Sequence, residues 1–190
     1  TRSCSGPSSA RWSCSPNPAW TGWCTWSLAT RTNSTPAPLA YVASELAGID
    51  GKTTVWEPTG GNGMLLIGAA PKNVAVNELN KDRAEALREQ GFRVSMKDAT
   101  NSDVHPEKPV DAVTTNPPFG PLGEKTKVDG YRIGQIDHLI AARALESMKP
   151  DGKAVLIIGA DKIAGGQNED SRIFFNWLYS HYRVTGHFEL

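Results

Sequence analysis

From Thr35 onward the apolar positions switch regularly between a helical and a strand period. Thr35-Pro36 has the form of an N-cap followed by proline at the first helical position. Behind it, Leu39, Val42, Ala43 and Leu46 recur at helical spacing until Gly48. Thr53-Thr54-Val55-Trp56 reads as a short strand ending at Glu57-Pro58, and Thr59-Gly60-Gly61-Asn62-Gly63 as a turn into an apolar helix over 64–69. A strand over 73–77 ends at Glu78, and residues 81–90 predict a helix with Ala84 and Leu87 inward and Gly91 as its stop. Strands follow over 92–96, ending near Asp98, and over 110–114, running directly into Asn116. Residues 120–132 read as a loop and 133–148 as a long helix, apolar at Ile136, Leu139, Ile140, Ala144, Leu145 and Met148. Lys149-Pro150-Asp151-Gly152 predicts a turn into a buried parallel strand over 154–158. Gly165-Gly166-Gln167 is a loop, 170–182 a helix, and 184–190 the start of another strand.

Strands alternating with helices imply an α/β fold, a doubly wound and mostly parallel sheet covered on both faces. Such sheets bind ligands beyond the carboxyl ends of their strands, near the point where strand order reverses. Glu57, Glu78, Asp98 and Asn116 all fall at expected strand ends.

Each of these ends carries a candidate role. The turn from Glu57 to Gly63 lets a ligand approach the backbone, and it is neither a P-loop nor the three-glycine dinucleotide fingerprint. A carboxylate at Glu57 beside it suits a ligand bearing an amino group rather than a pyrophosphate. Glu78 is placed to accept from two ribose hydroxyls. Asp98 either accepts from an adenine amino group or caps its own loop. In Asn116-Pro117-Pro118-Phe119 the two prolines fix the backbone and remove two amide donors. That leaves the Asn116 oxygen and nearby carbonyls as rigid acceptors. A conjugated amine is a poor nucleophile, and acceptors on its hydrogens would help it pyramidalise as positive charge grows during attack on a methyl sulfonium. Phe119 offers a face for a planar substrate. His138, on the following helix, reads as structural.

These residues resemble the Rossmann-like class I methyltransferases acting on amino groups, especially adenine-specific (N6) DNA methyltransferases with an Asn-Pro-Pro-Phe/Tyr motif. The resemblance covers residues 35–190. It implies S-adenosylmethionine as cofactor, with Thr35 flanking its methionine end, Glu57, Pro58, Gly60, Gly61 and Gly63 forming its loop, Glu78 on the ribose and Asp98 on the adenine. Asn116, Pro117, Pro118 and Phe119 are implied as the catalytic element and DNA as the partner. Ribosomal RNA guanine and protein glutamine are alternative acceptors for the same motif. A non-catalytic nucleic-acid-binding module is the alternative from a different class. Against the family pattern, Thr59-Gly60-Gly61 replaces a commoner small pair before one glycine. The strand expected at 184–190 would be followed in the family by further strands, so the chain reads as C-terminally truncated and continuing into other domains.

Composition separates residues 1–34 from the rest. They hold all three cysteines (Cys4, Cys14, Cys24), four of the six tryptophans and no acidic residue. Cysteines ten apart without a nearby histidine match no zinc site, and no metal is expected. This leader is read as irregular and non-native. Twenty basic and twenty acidic residues give a formal net charge of zero, so global charge points to no polyanionic partner. No apolar run is long enough for a membrane span, and the default compartment is the cytoplasm.

Overall fold

The computed structural model describes residues 34–159 and 169–188. The leader over 1–33, the glycine-rich loop over 165–167 and the last two residues of the chain lie outside them. Helix α1 spans Ala37–Ala47, strand β1 Val55–Glu57, β2 Val74–Asn77, α2 Lys81–Glu89, β3 Arg93–Ser95 and β4 Val110–Thr115. A hairpin follows, β5 Pro121–Val128 and β6 Tyr131–Gln135, then α3 Ile136–Leu145, β7 Met148–Leu156 and α4 Glu169–His181. The main sheet has the order β3-β2-β1-β4-β7, and every pair in it is parallel.

Both faces of this sheet are covered, as the alternating pattern predicts. Val55, Val74, Val76 and Ala112 point to one face, where they pack with Ala47 of α1 and Leu87 of α2. Trp56 and Val113 point to the other and pack with Ala144 of α3. A third apolar cluster joins the hairpin to α3 and α4 through Val128, Ile133, Leu139, Phe174 and Trp177. No helix among the described residues is long and apolar enough to cross a membrane.

Five local expectations change. The apolar stretch 64–69 contains only a 3-10 turn, Met64–Leu66, because Gly63 and Gly68 both take left-handed backbone and leave too few residues for an α-helix. The loop expected over 120–132 is instead the β5–β6 hairpin, closed by Asp129 (φ 45°) and Gly130 (φ 90°). Two consecutive positive-φ residues make the twist-matched two-residue turn for which Asp-Gly is suited. With residues 131–135 in β6, the long helix starts at Ile136 rather than 133. Strand β7 begins at Met148, and its register shifts before Lys153, so the expected turn is a bulge inside the strand. Gly152 is folded so closely onto Met148 that a Cβ would stand 2.3 Å from the Met148 Cγ. Residues 184–188 form no strand, and Phe188 is 72% exposed. Gly186 interrupts this short run, and it gains no ladder bonds from a neighbouring strand.

Candidate active site

Strand order reverses between β1 and β4: from β1 the chain winds outward through β2 and β3, then returns to the other side. The carboxyl ends therefore present, in spatial order, Asp98 beyond β3, Glu78 beyond β2, Glu57 at the end of β1 and Asn116 beyond β4. Three inter-strand steps place the outer two about 14 Å apart along the sheet edge. Thr59 Oγ1 and Thr115 Oγ1, 3.0 Å apart, tie the two sides of the reversal together.

The glycine turn is seated on the end of β2. Gly60 N donates to Asn77 O at 2.8 Å, and a Cβ on Gly60 would lie 2.4 Å from Val76 Cγ2. No side chain fits there without moving the strand. Gly61 N donates to Glu78 Oε2 at 2.8 Å. Gly61 (φ 55°) and Gly63 (φ 78°) both need left-handed backbone. Beneath the turn, Glu57 is 1% exposed. Its Oε1 accepts from Thr59 N and Oγ1, and its Oε2 from Thr114 Oγ1, each at 3.3 Å. These bonds are long, and burial pushes the carboxyl up to about 8 against their opposing pull. Glu57 is thus the floor of the turn rather than a group open to the cleft.

Glu78 is also buried and already engaged. Its Oε1 accepts from Asn80 N at 2.7 Å and from the Arg83 guanidinium at 2.8 Å, leaving an acceptor direction on Oε2 beside Gly61 N. Asp98 lies on the exposed loop beyond β3. Its Oδ1 accepts from Thr100 N and Oγ1, which hold its carboxyl below the usual range, and no described donor meets Oδ2. The loop-capping role is therefore present, and one oxygen remains open.

Asn77 gave no functional signal in the sequence beyond ending a strand, yet it organises this edge. Its Nδ2 donates to Pro58 O and Lys97 O, and its Oδ1 accepts from Lys97 N and Ser95 Oγ. One buried carboxamide, all four of its bonds made, fixes the loops after β1 and β3. An asparagine at a strand end that is otherwise apolar was the available cue.

Asn116 stands directly beyond β4. Its Nδ2 donates to Thr35 Oγ1 at 3.0 Å, and no described donor meets its Oδ1. Pro117 is buried and Pro118 exposed, while the Phe119 ring is 58% exposed. Helix α1 has Pro36 at its N-cap and no side-chain capping bond, so Thr35 does not cap it as the sequence predicts; its hydroxyl goes to Asn116 instead. Behind Phe119, the segment that follows β7 is clamped to α3: Gly159 N donates to Asp137 Oδ2 at 2.8 Å, and Gly159 O lies 2.9 Å from His138 Nε2. His138 is buried and stacked on Phe174, in the structural role read from the sequence. Asp137 carried no signal there. A separate cleft of about 340 Å³, lined by Pro109, Arg143 and Ser147 among others, opens at the amino ends of β4 and β7 and contains none of the expected site residues.

Among the described residues no group of histidine, cysteine, aspartate or glutamate side chains is arranged to hold a metal. No family model matches the chain, and no curated protein sequence matches it. Solved structures do. The modification subunit of a putative type I restriction enzyme from Vibrio vulnificus superposes with a TM-score of 0.59 at 16% identity, over 76% of this chain and 38% of that one. The M protein of the type I restriction enzyme EcoKI gives 0.54 at 17% identity, over 75% of this chain and 37% of that one. The fold, a doubly wound α/β layer around a parallel sheet, is the one these two modification subunits share with the chain. At such identities the likeness is one of fold. The chain spans less than two fifths of the length of either of those subunits.

Proposed function

We propose that the chain transfers a methyl group from S-adenosylmethionine to an exocyclic amino group, with adenine in DNA as the acceptor. The observation that carries this reading is the Asn116 carboxamide: its amide end is held by Thr35 and its oxygen left without a described donor, at the strand-order reversal beside the glycine turn. The donor set suits the cofactor, which offers hydrogens from ribose hydroxyls and an adenine amine. Glu78 Oε2, Asp98 Oδ2 and the turn at Gly60 and Gly61 are the groups to receive it, in the order of its parts along the sheet edge. When bound, the cofactor supplies an electrophilic methyl on a sulfonium. Asn116 Oδ1 and the carbonyls of the proline-stiffened segment accept from the two hydrogens of the acceptor amine, favouring its pyramidal form. Phe119 stacks on the base and holds its plane. The surplus proton leaves to water after transfer, so no strong base is required.

Two measurements test this. Calorimetry on the full chain is expected to show S-adenosylmethionine binding, weakened about tenfold or more by Glu78→Ala through loss of a charged acceptor. Absence of binding by the wild-type chain would sink the reading, and unchanged affinity in the variant would remove Glu78 from the site. Labelled methyl transfer to unmethylated DNA is expected, and transfer to ribosomal RNA or to protein glutamine alone would reassign the acceptor.

The hairpin after the motif supports a nucleic-acid acceptor. Lys127 lies directly across the ladder from Arg132, both are exposed, and neither meets a carboxylate among the described residues. Like charges opposite one another destabilise a ladder, and a phosphate between them removes that cost. Lys125, by contrast, is paired with Asp170 at 2.6 Å. The double variant Lys127→Ala, Arg132→Ala is expected to reduce the slope of log affinity for DNA against log salt by about two. An unchanged slope in a fluorescence-anisotropy titration would take the hairpin out of the interface.

A further inference from the structure

We infer that Asp137 and His138 are positioning residues for Phe119, holding Gly159 from both sides as the backing that sets the aromatic ring toward the acceptor. The inference rests on the methyl-transfer reading above. The ladder between β4 and β7 ends where Ile157 N donates to Thr115 O at 2.9 Å. Beyond it the backbone groups of Gly159 have no strand partner, and two consecutive side chains from the first turn of α3 take them instead. Gly159 N donates to Asp137 Oδ2 at 2.8 Å, and Gly159 O lies 2.9 Å from His138 Nε2. Neither direction is ambiguous: an amide N–H only donates and a carbonyl only accepts, so His138 Nε2 is the donor. His138 Nδ1 is buried and meets no described partner, which suits the ring nitrogen that carries no proton.

Gly159 does not take left-handed backbone, so its conformation does not call for glycine; the space beside it does. A Cβ there would stand 3.4 Å from Asp137 Oδ2, 3.5 Å from Phe119 Cδ1 and 3.8 Å from Phe119 Cγ. One methyl fills that gap at ordinary contact, and a longer side chain has to displace the ring or the carboxylate. The Phe119 ring therefore rests against the Gly159 backbone, while the residue as a whole stays 58% exposed. An exposed aromatic is a preorganised stacking face only when something rigid stands behind it, since ordering the ring on binding otherwise costs affinity. The backing here is rigid. Asp137 and His138 are 2% and 1% exposed, and His138 is stacked on Phe174 with ring centroids 4.4 Å apart.

Gly159→Val puts a branched side chain where the ring rests. Methyl transfer to DNA is expected to fall about tenfold to a hundredfold in kcat/KM, with the S-adenosylmethionine Kd unchanged by calorimetry, which also reports a folded chain. Phe119→Ala removes the stacking face and is expected to cost a similar factor, about tenfold to a hundredfold. Because Gly159 acts through the ring, the double variant is expected to lose no more than Phe119→Ala alone, whereas a role in the scaffold only would make the two losses multiply. Asp137→Ala is expected to lower transfer in the same way, and Asp137→Asn, whose carboxamide oxygen can accept from Gly159 N, to recover most of it. Independently of turnover, fluorine NMR of the chain labelled with fluorophenylalanine is expected to show the Phe119 line, identified by its absence in Phe119→Leu, shifted or broadened in Asp137→Ala while the Phe92 line stays. Losses that multiply, or an unmoved Phe119 line in Asp137→Ala, would overturn the inference in a chain that methylates DNA. A wild-type chain that methylates none of DNA, RNA or protein defeats the functional reading itself, so the two failures are told apart.

Discussion

Replacing Asn116 with alanine is expected to lower methyl transfer by about a hundredfold to a thousandfold, the scale for removing one preorganised polar group from a transition state, while S-adenosylmethionine still binds. Among the described residues the side chain makes one bond, to Thr35, and none to the glycine turn. Its loss therefore leaves the cofactor's contacts in place. What goes is an acceptor whose interaction strengthens as the amine gains positive charge, and only interactions that grow toward the transition state raise the rate. Single-turnover transfer of labelled methyl, measured alongside calorimetric Kd, separates these quantities. A variant that loses cofactor affinity in proportion to its rate would place Asn116 in the cofactor pocket instead.

A second large effect is expected from Glu57→Gln, and it concerns stability against pH. Burial raises the Glu57 carboxyl from its ordinary value of 4.5 to about 8. Between those values the folded chain keeps a proton that the unfolded chain has released, so the unfolding free energy falls as pH rises. The contribution is complete below about 4.5 and gone above about 8. Over that window the loss is on the order of several kcal/mol. Glutamine has the shape of the protonated acid and does not titrate. Urea midpoints for wild type and variant are thus expected to be similar near pH 5 and to diverge toward pH 8.5, with the glutamine chain the more stable. Parallel profiles would mean that Glu57 folds as a carboxylate.

Much of the scaffold was readable from one sequence because it obeys local rules. β1, β2 and β4 are short runs that each open on a buried valine, and α2 carries Asn80 at its N-cap, whose side chain accepts from Arg83 N. The hairpin, expected as a loop, carried a cue that was not used: Asp129-Gly130 between Val128 and Tyr131 is the turn signal such a hairpin requires. The net charge of the surrounding residues obscured it: Glu124, Lys125, Lys127, Asp129 and Arg132 look like a solvated loop until cross-strand register is known. The stretch 64–69 misled in the opposite direction, because its apolar residues do serve as core, with Leu65 and Leu66 buried, in a turn too short to be an α-helix.

The sequence by itself determined that this is a doubly wound α/β chain with its candidate site residues at strand ends. Strand period, glycine turn and proline pair are properties of contiguous residues, and their physics is local. Only the tertiary structure decided what each polar end does. Glu57 became a buried support under the turn because Thr59 and Thr114 close over it. Glu78 became an anchor for Gly61 and Arg83 as well as an acceptor. Thr35 left the helix cap for Asn116, 81 residues away. Each of these outcomes depends on which distant group reaches a buried polar atom first, and burial makes leaving that atom unpaired costly. Chain spacing carries no record of that competition; the packed sheet edge resolves it.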